Sequence, residues 1–305
     1  MNTISTLSVV LAVLSDASYA LIVGSLLADR WLDAVLRNPN CGAIAKTIQH
    51  LARFQILCLG VLSASHLVRP WFVAASMSGS QGFRENLSLI PAVLSSTRQG
   101  VFWYSNLAAI AILFAAHFAG CARKRPIVSW FVLVAISVVA LTKTASSHAA
   151  DEGDFTLVEL SQFLHLLATA VWAGTILVSG FVIAPFMARI VSPEILWNFG
   201  GRLSRTVTWA VVVLVLSGIY TSDRELSGSL SSLWRSAWGR ILLLKIAFVG
   251  VALCLGAASR IRCVRRAATH ERAAMFAGFL RAEAAAMAAI LCISGLLANT
   301  SRVMP

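Results

Sequence analysis

Apolar residues run through this chain in long stretches, and polar residues gather in the short segments between them. The apolar stretches lie at 4–28, 49–76, 100–121, 127–147, 156–187, 204–221, 239–260 and 274–299. Each is close to or above the roughly 20 residues that a helix needs to cross the hydrocarbon core of a bilayer. The pattern therefore predicts an all-α fold, a polytopic transmembrane bundle of about eight helices, with 1–305 as a single integral membrane domain. The second and fifth stretches are long enough to imply tilt or protrusion. The first has no basic segment before it and no clear small-residue cleavage site, so it is expected to be a retained helix and not a signal peptide.

Composition agrees. Hydrophobic residues make up 58% of the chain and charged residues 12%, about half the charged share of a soluble domain. The net charge of +12 would ordinarily suggest nucleic acid. Here the basic residues sit in short loops, and membrane topology explains them better, so no nucleic-acid partner is expected; the surrounding lipids are. Segments 29–48, 122–126, 188–205 and 260–273 together hold fourteen Lys or Arg, against five on the opposite side. The positive-inside rule puts the rich side in the cytoplasm, with both termini facing outward. The six cysteines form no C-x-x-C pair, so a disulfide framework is not expected.

A faint internal repeat is visible. LARFQILCLGVLSASH from Leu51 resembles LSRTVTWAVVVLVLSG from Leu203, each opening with L-x-R at Arg53 and Arg205, and Gly100 and Gly239 open the helices that follow. This suggests two four-helix halves, 1–147 and 148–305, in parallel orientation, an arrangement common in transporters. Chance similarity between apolar segments is the competing explanation.

Ionisable residues inside a membrane cost a few kcal/mol on insertion scales, so each is a functional candidate by default. Asp16, Arg69, Lys143, Glu159, His165, Lys245, Arg281 and Glu283 fall in or near the predicted bilayer, with His66 and His117. Helix two runs outward and helix five inward, which sets His66 and His165 about ten residues from their outer ends. At 1.5 Å per residue both are roughly 15 Å deep, and Asp16 and Glu283 reach similar depths. His148 sits at the outer mouth beside Asp151, Glu152 and Asp154. Imidazole is the commonest protein ligand for copper, zinc and haem iron, so His66, His165 and His148 suit a metal path opening to the outside. The competing reading makes each histidine an interhelical hydrogen-bonding group and nothing more.

The other polar residues leave alternatives open. Arg69, followed by Pro70 and Trp71, is either a snorkelling interfacial arginine or a counter-charge for Asp16 or Glu283. Trp172 lies two turns from His165, on about the same face, as packing or as part of a site. Lys143 and Lys245 would repel a cation and are expected to pair with acids or to reach the outer interface. Met77 and Met304 are outer-side candidates for Cu(I). No phosphate-binding loop, H-E-x-x-H or C-x-x-C-H occurs, so a self-contained ATP-driven pump and c-type haem are not supported.

Three segments carry a resemblance to a known family. FLHLLATAVWAGTILVSG (Phe163–Gly180) resembles the His-x-x-x-x-x-x-Trp-x-Gly helix of the bacterial copper resistance protein D family (CopD/PcoD). WGRILLLKIAFVGVALCLGAASR (Trp238–Arg260) is similar to its Gly-Arg-x-Leu-x-x-Lys helix, and HLVRPWFVAASMSG (His66–Gly79) to a segment of its longer members. Arg281, Glu283 and Pro305 fit the last helix loosely. Thr175 follows Ala173-Gly174 where many members carry a Gly-Gly pair, which bears on local packing. The resemblance implies a non-enzymatic inner-membrane protein that imports copper from the periplasm, alongside a small periplasmic copper carrier of the CopC type. On that reading His148 and the acidic loop receive the ion, His66 and His165 bind it, and Asp16 and Glu283 complete the site or relay protons. Histidine accepts Cu(I) and Cu(II) alike, and the scarcity of methionine favours Cu(II) weakly. Two alternatives remain: a b-type haem or redox protein with His66 and His165 as axial ligands, and a copper-binding partner that does not transport.

Overall fold

The apolar stretches become helices because a backbone in lipid must satisfy its own hydrogen bonds within the segment. The computed structural model describes residues 3–35, 42–80, 82–119, 126–146, 156–185, 193–226, 234, 236–264, 270–298 and 300. Among them are nine α-helices and no strand: α1 (Thr3–Val35), α2 (Gly42–Ser78), α3 (Phe83–Ser96), α4 (Arg98–Phe118), α5 (Pro126–Ala145), α6 (Leu157–Leu177), α7 (Pro193–Leu226), α8 (Ala237–Ser259) and α9 (His270–Ala298). Helix α6 continues as a wider π-type turn over Val178–Ile183, and α8 likewise over Arg260–Val264. Eight of these helices are long and apolar enough to span a membrane, all but α3.

Two segments expected as loops are helical. Segment 77–99 contains α3, and α7 begins at Pro193, well before the expected start at 204. Both extensions are amphipathic. Asn86 and Val93, seven residues apart and so on one face, are buried in α3 while Phe83 and Leu87 are exposed. Phe199 and Leu203, four apart, are buried in α7. The turn into α3 depends on Gly79, which ends α2 at φ +67 and donates its N–H to the Ala75 carbonyl at 3.1 Å. That left-handed conformation is open to glycine without a Cβ penalty. Asn86 then closes the turn, accepting from Ser78 Oγ at 2.7 Å and donating to the Ser80 carbonyl at 3.0 Å.

The chain divides into two compact units. Unit 1 comprises Met1–Ser18 and Ile56–Leu167; unit 2 comprises Tyr19–Gln55 and Ala168–Pro305. In unit 1, α4 packs along α5 and α3 lies on α4. In unit 2, α8 packs along α9, which also meets the π-type turn of α6. There α1 and α6 cross where two glycines face each other. A Cβ on Gly24 or Gly174 would fall well inside contact distance of the opposing backbone, so small residues permit the approach. Trp31 meets Phe199 edge to face at 5.7 Å in the same unit.

Candidate functional site

The polar centre of unit 1 starts from a proline. Pro70 lies inside α2 and has no N–H to offer the carbonyl four residues earlier, that of His66. The Trp103 indole on α4 fills the gap, donating Nε1–H to the His66 carbonyl at 3.0 Å. The bond is returned: His66 Nε2 lies 2.9 Å from the Trp103 carbonyl. A carbonyl only accepts, so Nε2 carries the hydrogen and neutral His66 keeps its lone pair on Nδ1. The two rings stack at 5.5 Å and 13°. One hydrogen bond and a stack therefore fix the orientation of the His66 imidazole, and that bond fixes its tautomer.

Around this latch lie three charges and an amide. Lys143 on α5 forms an ion pair with Asp16 on α1, as expected of a lysine seeking an acid. Arg69 feels the charge of Asp16, and His66 feels Arg69 and Lys143. Of the counter-charges considered for Arg69, Asp16 is one whose charge reaches it. Asn106 on α4, buried, donates to Thr142 Oγ1 on α5 at 2.7 Å and to the Phe102 carbonyl at 3.1 Å. His66, Arg69, Gln99, Trp103, Asn106 and Ser146 help line a small pocket. It has room for water-sized occupants and would have to open widely to admit a porphyrin.

Unit 2 holds a second polar centre. Glu283 on α9 is 4% exposed and has no ion-pair partner among the described residues. Its carboxylate feels the Trp172 side chain, and it packs so tightly on α8 that a Cβ on Gly256 would lie 3.2 Å from Oε1. Trp172 is buried, and its Nε1 stands outside hydrogen-bond geometry with every acceptor among the described residues. Ser179 Oγ, two turns on in α6, is buried and equally without a partner.

The remaining candidates fall as follows. His165 is half-buried on α6 and Lys245 half-buried on α8, each engaged with neighbouring groups. Met77 is exposed near the end of α2. His148, Asp151, Glu152, Asp154 and Met304 lie outside the described residues. Among the described residues no three His, Cys, Asp or Glu side chains converge as a metal-holding group. Trp103, Asn106 and Thr142 are the polar-centre members that sequence reasoning passed over. The carbonyl freed by Pro70 was the available signal, since a donor from another helix had to satisfy it.

Comparison with known proteins gives the setting. The family model "Copper resistance protein D-like, N-terminal domain" matches residues 1–157, and "Copper resistance protein D" matches residues 197–297. The chain is 27% identical over 218 residues to "Copper transport protein CutJ" of Bacillus subtilis (strain 168), covering 70% of this chain and 39% of that protein. It is 26% identical over 192 residues to "Copper resistance protein D" of Pseudomonas syringae pv. tomato, covering 62% of this chain and 61% of that protein. The aligned region thus spans less than two thirds of either relative. No solved structure matches. Eight membrane-length helices and two family models that together take in most of the chain lead to one conclusion: this multi-pass membrane protein belongs to the copper resistance protein D family.

Proposed function

We propose that this protein carries copper ions across the bacterial inner membrane, from periplasm to cytoplasm, with His66 and His165 as intramembrane ligands. The observation that carries the site is the His66–Trp103 latch. Histidines that ligate metals usually donate their other ring N–H to a carbonyl or carboxylate, which fixes the tautomer. His66 Nε2 does so to the Trp103 carbonyl, leaving Nδ1 for a metal. The relatives' names, a copper transport protein and a copper resistance protein, supply the cargo.

The charges near His66 fit a route better than a store. Asp16 offsets Lys143, while Arg69 remains as an opposing positive charge. A transported ion must bind well enough to enter and weakly enough to leave. On this reading His148 and the acids Asp151, Glu152 and Asp154 receive copper at the periplasmic face from a small carrier of the CopC type. Both termini lie on that face, and the protein is a carrier and not an enzyme.

The test is copper accumulation in cells expressing wild type or His66→Ala/His165→Ala at matched membrane levels. The reading expects the double variant to fall to the level of cells lacking the protein. Accumulation equal to wild type would remove His66 and His165 from the route.

A further inference from the structure

Glu283 is a buried acid, 4% exposed, that the copper route above does not use. Helix α6 brings Trp172, whose N–H stands outside hydrogen-bond geometry with every acceptor among the described residues. Helix α8 brings Gly256 against the carboxylate. Cys254 and Arg260 on α8 are exposed, with Arg260 turned to Thr208 of α7 at 3.4 Å. Lys245 lies eleven residues from Gly256 along α8, roughly 16 Å at 1.5 Å per residue, and is engaged with other groups. Arg281, two residues away on α9, is exposed. Among the described residues, Trp172 is the side chain that acts on the Glu283 carboxylate.

A carboxyl group so placed is charge-balanced by a bound proton or by an arriving cation, because a bare charge within a membrane is costly. The surroundings favour a group that alternates. Trp172 offers a donor in reserve for the ionised form. The adjoining π-type turn, Val178–Ile183, packs on α9 at Leu280 and Ala284, on either side of Glu283. Such turns occur often at functional sites.

We propose that Glu283 is a proton-binding site of unit 2, taking up and releasing one proton in each cycle and so coupling copper movement to a proton gradient. The proton moves between water and the Glu283 carboxylate, and no electron or other group is exchanged. The coupling rests on the copper-transport reading; the proton site itself does not.

Two measurements separate them. In proteoliposomes, a gradient of one pH unit corresponds to about a tenfold accumulation ratio for each coupled proton. Wild type is expected to build about a tenfold copper ratio that reverses when the gradient is reversed. Glu283→Gln is expected to build none while still exchanging labelled for unlabelled copper at equal concentrations, which also shows that it is folded. A Glu283→Gln protein with the wild-type response overturns the coupling. The second measurement is infrared difference spectroscopy of purified protein on titration with acid and alkali. Wild type is expected to show a protonated-carboxyl band that comes and goes and is missing from Glu283→Gln. A spectrum unchanged by the substitution overturns the proton site, whatever the fluxes do. If the band is present and no copper moves in any liposome, the transport reading fails and the proton site stands.

Discussion

Replacing Trp103 by Phe should destabilise the protein only because Pro70 is where it is. The substitution keeps most of the ring that stacks on His66 but deletes the N–H that satisfies the His66 carbonyl. An orphaned buried acceptor costs about 1–3 kcal/mol, and single interhelical hydrogen bonds in membranes average about 0.6 kcal/mol with a maximum near 1.7. We therefore expect Trp103→Phe to lose about 1–1.5 kcal/mol in the native background. Pro70→Ala restores a backbone N–H four residues after His66, able to close the ordinary helical bond. With Ala at 70, the same Trp103→Phe change should lose no more than about 0.5 kcal/mol, a coupling on the order of 1 kcal/mol between residues on different helices. The assay is a double-mutant cycle by reversible unfolding in mixed micelles. Strictly additive losses would show that Trp103 does not serve the proline-freed carbonyl, and the link between Pro70 and the Trp103 indole would fall.

Other outcomes follow from the same geometry. Asp16→Asn removes the Asp16–Lys143 ion pair and should lower the melting temperature more than Asp16→Asn/Lys143→Met, because losing one partner of an ion pair harms more than losing both; equal effects would show that the lost pairing costs nothing. Gly174→Ala forces a methyl into the Ala20 backbone and should cost about 1–3 kcal/mol or more by overpacking, read as loss of folded protein on size-exclusion chromatography; wild-type behaviour would contradict the α1–α6 crossing. The purified protein should be colourless in the Soret region, since the pocket beside His66 would have to open widely to admit a porphyrin; a haem spectrum would favour the redox alternative.

The eight spans were legible because length and apolarity alone make a spanning helix, and no partner need be known. Helix α3 was not. Its 14 residues are too few to span, so 77–99 read as a connecting segment. What makes it helical is a seven-residue spacing of Asn86 and Val93 that has meaning only with α4 beneath it. The charged candidates were legible as individual residues, since any charge in an apolar run stands out. Their partners were not, because Asp16 and Lys143 lie 127 positions apart and their meeting depends on how α1 and α5 are rotated. Trp172 read as packing or as part of a site with His165, and its action on Glu283 from another helix could not be read from spacing. The π-type turn of α6 left no mark in the residue pattern: Val178–Ile183 is as apolar as the helix before it.

The central claim is that His66 and His165 hold copper within the membrane. Metal content by mass spectrometry tests it most directly, on wild type and His66→Ala/His165→Ala purified side by side after exposure to copper and removal of the excess. The account predicts copper bound to wild type and lost from the double variant, with both proteins folded. Equal copper in the two would contradict it.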